Sequence, residues 1–277
     1  MIERAIVDGI TLEYEISGTG EPVVLIHGAL LADTFRPLLA EPGLAGRYQL
    51  ITYHRRGYVG STRTPGPASV ARQVTDCRAL LRHLSVERAH VVGHSYGGSV
   101  ALQLALDFPE LTHSLALLEP AFFGGSSAQG YRDALAQGQQ RYREQGAAVV
   151  VDEFLLPRFG AGYRAWLDQA VPGAFAQAVA DAETWFEREI PGLRGWSLGE
   201  AEVRRITPPV LAVLGGASDA LWSRFGETHR LLLRWLPRAE GFVLPRATHG
   251  LQLQNPRGMA EALADFCARY PISAAAR

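Results

Sequence analysis

The chain contains no lysine: all 27 of its basic residues are arginine. This excludes mechanisms built on a lysine Schiff base or a lysine general base, and the heavy use of Ala, Gly and Arg reads as coding bias. Cysteine is nearly as scarce. Cys77 and Cys267 lie far apart in segments of helical pattern, and two lone thiols in 277 residues read as packing residues of a reducing compartment rather than as a disulfide. Long apolar runs are missing as well: no uninterrupted stretch approaches the roughly 18 residues of a membrane span. The opening M-I-E-R-A-I-V-D-G-I-T has no basic region followed by an apolar core, so a soluble, cytoplasmic protein is expected. Neither sign of charge dominates. A net charge of -1, with 47% hydrophobic and 20% charged residues, argues against a disordered chain or a polyanion binder. The expected partner is a small-molecule substrate, not nucleic acid or a membrane, and a homodimer is left open.

The chain is long enough for one large core with an insertion. Ala5 to Val7 and Thr11 to Ile16 flank Asp8-Gly9 as a hairpin. Val23 to Ile26, Leu50 to Tyr53, Ala89 to Val92 and Ser114 to Leu118 read as core strands, with helices near Ser69 to Leu84 and Ser99 to Phe108, the second closed by Pro109. This alternation predicts an α/β fold with a mostly parallel sheet between helices. From 122 to 205 no strand pattern appears. Helix-like segments such as Tyr131 to Gln145 and Phe175 to Arg188 are broken by Pro157, Gly160, Pro172 and Pro191, which predicts a helical lid, with the core formed by 1–121 and 206–277. After Pro208-Pro209 the core pattern resumes with a strand at Val210 to Leu214, a helix near Trp222 to Leu236, a strand at Gly241 to Leu244 and a final helix near Pro256 to Tyr270.

The most informative stretch is A-H-V-V-G-H-S-Y-G-G-S-V-A-L, from Ala89 to Leu102. A short apolar strand runs into Gly93-His94-Ser95-Tyr96-Gly97-Gly98 and at once into a helical pattern, so Ser95 occupies a strand-to-helix turn. A bare G-x-S-x-G string arises by chance in roughly one chain of this size in ten. The chain carries such a decoy: Gly195-Trp196-Ser197-Leu198-Gly199 has no strand before it and no long helix after it, and reads as a lid loop. At Ser95 the context is complete. A serine in a tight turn needs small neighbours, which Gly93, Gly97 and Gly98 provide, and the helix N-terminus favours developing negative charge. Ser95 is the candidate nucleophile.

The strand Val23 to Ile26 ends in His27-Gly28-Ala29. Together with Arg56-Gly57-Tyr58-Val59-Gly60-Ser61, the G-H-S-Y-G elbow and a late Thr248-His249-Gly250, all in this order, the chain resembles the α/β-hydrolase family outside its lid. The resemblance implies a doubly wound, eight-stranded, mostly parallel sheet with an inserted helical cap. It also implies His249 as the catalytic base in the loop after the last strand, and an oxyanion hole from the backbone N–H groups of Ala29 and Tyr96. His27 is expected to brace the oxyanion loop, and His94 to be structural and to point away from the site. The remaining histidines show no metal-ligand spacing, so neither metal nor cofactor is assigned.

The acid has two candidates. The loop after the first strand beyond the lid offers Asp219, but the count from Pro209 runs one residue long, leaving Ser218 where an acid would stand; Asp219 also reads as a helix N-cap. Glu119 ends the apolar run Leu115 to Leu118 at a sheet edge where catalytic groups gather, matching a family variant seen in certain lactone hydrolases. The balance tips narrowly to Glu119. Either would orient the imidazole of a Ser-His-acid triad. The expected activity is hydrolysis of a carboxylic ester or lactone through an acyl-enzyme. A lyase-type or carbon-carbon bond-cleaving enzyme on the same fold, or a ligand-binding protein with little turnover, stand as alternatives. The lid aromatics Phe159, Tyr163, Trp166, Phe175, Trp185, Phe186 and Trp196, with few positive charges in register, predict a largely apolar pocket.

Overall fold

The computed structural model describes residues 1–272. Its strands are β1 (Glu3–Val7), β2 (Ile10–Ser17), β3 (Glu21–Ile26), β4 (Tyr48–Tyr53), β5 (Ala89–His94), β6 (Thr112–Leu118), β7 (Val210–Gly215) and β8 (Ala239–Leu244). They form one eight-stranded sheet in the order β1-β2-β4-β3-β5-β6-β7-β8. β1 with β2, and β2 with β4, pair antiparallel; all later pairings are parallel.

Side-chain alternation explains why the inner strands read as unbroken apolar runs. Val24, Ile26, Val91, Leu115 and Leu117 enter the hydrophobic cluster on one face, while Val23, Leu25, Val92, Ala116 and Leu118 enter the cluster on the other. A strand covered by helices on both faces needs apolar residues at every position. Covering helices include Val70–His83, capped by the Ser69 hydroxyl accepting from the Arg72 N–H at 3.2 Å, and Pro256–Arg269, capped by Asn255 Oδ1 accepting from the Gly258 N–H at 3.0 Å. Both cysteines are buried free thiols, which burial pushes up to about 12.

Strand order reverses beside β3, which has β4 on one side and β5 on the other. Such a reversal opens a crevice at the carboxyl ends of the strands. The ends of β3, β5, β6 and β7 therefore deliver His27 to Ala29, Ser95, Glu119 and Gly215 to one rim.

Between β6 and β7 the chain is helical, with Ala128–Gln145, Ala147–Phe159, Tyr163–Ala170, Ala174–Ala180, a π-helical segment Thr184–Glu189 and Ile190–Arg194. Two elements differ from the sequence expectation. The helix Ala147–Phe159 runs through Pro157, because a proline in the last turn frees only one carbonyl before Gly160 ends the helix at φ +87°. The segment Phe175 to Arg188 is not one helix: it breaks around Asp181, whose buried carboxylate accepts the Val59 N–H at 3.1 Å and pairs with Arg63.

One buried ion pair fastens these helices to the core. The Arg55 guanidinium and Glu189 carboxylate are both fully buried and bonded, and Glu189 also accepts from Tyr58 Oη at 2.7 Å and Gln73 Nε2 at 2.9 Å. Arg55 also donates to the carbonyls of His27 at 3.1 Å and Gly28 at 2.9 Å. Removing one partner of a buried pair strands the other charge. Glu189→Gln is expected to destabilise the fold by about 3–5 kcal/mol in urea titration, and Arg55→Met/Glu189→Leu to recover part of that loss; a single variant as stable as the parent would contradict it.

Candidate active site

Ser95 is the first residue after β5, and its backbone at φ 52° and ψ -118° is held in a conformation that costs about 1–3 kcal/mol. Tertiary contacts force it there. The Ser95 N–H donates to the Leu118 carbonyl at 3.0 Å, and the Ser95 carbonyl accepts from Gly98 at 2.9 Å and Ala121 at 2.8 Å. The bend closes only because two neighbours lack a side chain: a Cβ on Gly93 would come within 2.5 Å of the Gly97 carbonyl oxygen, and one on Gly97 within 2.0 Å of that of Ile26. From Ala89 to Leu102 every residue is buried except Ser95, which is half-buried and presents its side chain to a cavity.

That small cavity is lined by Ala29, Leu31, Ser95 and His249, and from the inserted helices by Phe154, Arg158 and Phe159. His249 is buried in the loop after β8, and its Nδ1 lies 2.6 Å from Glu119 Oε2. Glu119 Oε1 accepts the Gly215 N–H at 2.7 Å, and the buried Ser218 hydroxyl lies beside the same carboxylate. Like Ser95, Glu119 has a positive φ, 44°, which turns its side chain out of the strand. Burial pushes the Glu119 carboxyl up, against the N–H groups that favour its ionised form. Burial, reinforced by the charges of Arg158 and Arg224, pushes the His249 imidazole well down. The imidazole is thus held neutral, with Nδ1 directed to Glu119. Its Nε2 has no hydrogen-bond partner among the described residues, and Ser95 and His249 share the cavity without a direct bond between them.

The Ala29 N–H and the Tyr96 N–H, at the first position of the helix Tyr96–Asp107, donate to no group among the described residues. A free main-chain donor pair flanking a serine is suited to an anionic oxygen. His27 turns inward: Nδ1 donates to the Gly28 carbonyl at 2.8 Å, and Nε2 accepts the Arg55 N–H at 3.0 Å, so the ring stiffens the loop before Ala29.

Three expectations need correction. His94 does not point away from the site: it lines the cavity, and its Nε2 donates to the His249 carbonyl at 2.9 Å. Burial lowers its pKa to about 3, so it acts as a neutral prop for the His249 loop. Asp219 is not brought to His249. It is exposed, on the short helix Ser218–Leu221, and its Oδ1 accepts the Gly226 N–H at 3.1 Å in the first turn of the helix Arg224–Trp235, a capping role. The pocket is also less apolar than the lid aromatics imply, since Arg158 enters its wall. The decoy Ser197 is exposed on a loop between helices. Most lid aromatics pack among themselves or on the core, as Phe186 stacks on Tyr142 at 5.0 Å and Trp185 meets Tyr96 at 5.6 Å. Sequence reasoning missed Phe154, Arg158 and Phe225, whose ring stacks on His249 at 4.5 Å. No local motif marks any of them.

A model of the alpha/beta hydrolase family matches residues 23–262. Among curated proteins, the chain is 33% identical over 225 residues to the dihydrolipoyllysine-residue acetyltransferase component of the acetoin cleaving system of Cupriavidus necator, a match covering 80% of this chain but 58% of that one. The chain thus spans little more than half of that relative's length. It is 27% identical to the 2-hydroxymuconate semialdehyde hydrolase of a Pseudomonas species, over 96% of this chain and 93% of the other. Among solved structures, the enol-lactonase of Burkholderia xenovorans superposes with a TM-score of 0.84 at 21% identity, covering 96% of this chain and all of that one. Sheet order, elbow and family match agree: the chain belongs to the alpha/beta hydrolase family.

Proposed function

We propose that the chain is a serine hydrolase that cleaves a carboxylic ester or lactone without a cofactor. His249 Nε2 takes the Ser95 Oγ proton as Oγ attacks the substrate carbonyl, and the N–H groups of Ala29 and Tyr96 hold the resulting oxyanion. The intermediate collapses with loss of the alkoxide, which takes the proton from the imidazolium. Water, deprotonated by His249, then attacks the acyl-enzyme and releases the acid and free Ser95. Glu119 fixes the Nδ1–H tautomer and stabilises the imidazolium. The single observation that carries this reading is the 2.6 Å contact of His249 Nδ1 with Glu119, on an imidazole that shares its cavity with Ser95. The serine at 95 disfavours the aspartate-nucleophile chemistry of dehalogenases and epoxide hydrolases. The full-length likeness to a 2-hydroxymuconate semialdehyde hydrolase supports one second reading, hydrolytic carbon-carbon cleavage by the same residues.

The deciding experiment is fluorophosphonate labelling combined with turnover of p-nitrophenyl esters. Ser95 is expected to be the labelled residue, and Ser95→Ala to abolish both labelling and turnover; labelling elsewhere, or none in folded protein, would sink the proposal. Glu119→Gln is expected to lower kcat by about 10⁴-fold, the scale of losing the orienting acid, while Asp219→Asn stays within about threefold; the reverse order would return Asp219 to the catalytic role.

The depressed His249 pKa sets a pH dependence. The base works when neutral, and burial keeps it neutral below its ordinary value of 6.5. Through this group, the base is lost as pH falls through the lowered value rather than through 6.5. The acid limb of kcat/KM for a neutral ester is therefore expected well below pH 6.5; a limb at or above that value would contradict the buried, neutral base.

A further inference from the structure

Among the described residues, four arginines are buried: Arg55, Arg56, Arg158 and Arg224. The first two are neutralised by Glu189 and Asp76. Arg158 and Arg224 have no carboxylate within ion-pair distance, and both lie close enough to His249 to depress its pKa. Arg224 has Glu119 acting on it as an opposite charge, and its Nη2 donates to the Phe122 carbonyl at 2.7 Å. Arg158 has no such opposite charge. Its one hydrogen bond runs from Nη1 to the Phe154 carbonyl, and only rings surround it otherwise, Phe154 at 3.7 Å and Trp222 at 4.9 Å from its Cζ.

Such contacts offset only part of the cost of burying an unpaired cation. The deficit shows in the Arg158 pKa, which burial pulls down to about 10. A structural role for the side chain would also be redundant: the neighbouring contact that holds the His249 loop, His249 N–H to the Arg158 carbonyl at 3.3 Å, uses main chain only. Arg158 borders both the small cavity containing Ser95 and a larger, open groove among the inserted helices, lined by Gln137, Val150, Pro157, Phe186 and Trp222. The other charged groups of that groove, Arg141 and Glu153, are paired with each other. One guanidinium, with most of its five donors unused, is thus left facing the space a substrate would fill.

We infer that Arg158 is a substrate-binding residue that recognises a carboxylate, so the substrate is an anionic ester or lactone with its carboxylate a few bonds from the reacting carbonyl. The short separation follows from Arg158 and Ser95 lining the same small cavity. This deepens, and rests on, the hydrolase reading above, and it replaces the apolar substrate expected from the lid aromatics. The substrate's carboxylate supplies the missing counter-charge, and Phe154 and Trp222 flank the chain that carries it.

Two measurements test this separately from the hydrolase reading. In the first, kcat/KM is compared for p-nitrophenyl hemiglutarate and p-nitrophenyl butyrate. The parent is expected to favour the hemiester, and Arg158→Met to cut the hemiester-to-butyrate ratio by about 10- to 100-fold, with Arg158→Lys intermediate because it keeps the charge without the fork. In the second, calorimetry measures glutarate binding to Ser95→Ala, which is expected to saturate and to be lost in Ser95→Ala/Arg158→Met, with urea unfolding verifying that each variant folds. An unchanged ratio, or no glutarate binding to folded Ser95→Ala, overturns the carboxylate site while butyrate turnover leaves the hydrolase standing. Glutarate binding without turnover of either ester supports the site and removes the hydrolase instead.

Discussion

A carboxylate at the tip of a buried strand cannot stand alone, and the arrangement of the site follows from how Glu119 is satisfied. One oxygen takes the Gly215 N–H from the end of β7, and the other takes Nδ1 of His249 from the loop after β8. Three separate chain segments are thereby held to one point. The bend at Ser95 is tied to the same region through the carbonyl of Leu118, immediately before Glu119. Ser95, Glu119 and His249 are therefore positioned by hydrogen bonds at the ends of β5, β6 and β7, and both oxygens of the buried Glu119 carboxylate have a partner to offset its lost hydration.

The second organising contact lies on the opposite side of the cavity. Arg55 reaches from the end of β4 to Glu189 in the inserted helices and, with the same guanidinium, grips the carbonyls of His27 and Gly28. Those carbonyls belong to the loop that presents the Ala29 N–H. The inserted helices are thus coupled through Glu189 to the loop after β3, directly by Arg55 and also by Tyr58, whose hydroxyl accepts the Leu30 N–H at 3.5 Å. Tyr58 and Gln73 complete the shell around the Glu189 carboxylate, which keeps the pair from being a charge left in a dry interior.

Local features were legible in the sequence and long-range ones were not. The strands, the elbow at Ser95 and the loop bearing His249 follow from periodicity, glycine placement and motif order, all of which act within a few residues. Choosing between Glu119 and Asp219 requires knowing which carboxylate meets an imidazole about 130 positions from Glu119 along the chain. That is a property of strand order rather than of either loop. The helix Ala147–Phe159 went unread because Pro157 reads as a breaker, though its place in the final turn makes it harmless. Arg158 is one arginine among 27, and nothing marks it until its burial without a counter-ion is visible.

The serine beside Glu119 carries a consequence for how such sites diverge. Ser218, at the start of the short helix after β7, occupies the place where a second acid would stand, and it lies against the Glu119 carboxylate. Two carboxylates so close in a dry pocket cannot both ionise, and one would stay protonated. The adjoining strand tips therefore form a slot for a single negative charge, and moving the acid from one tip to the other requires exchanging both residues together. A lineage altering only one would pass through a form with either two competing acids or none.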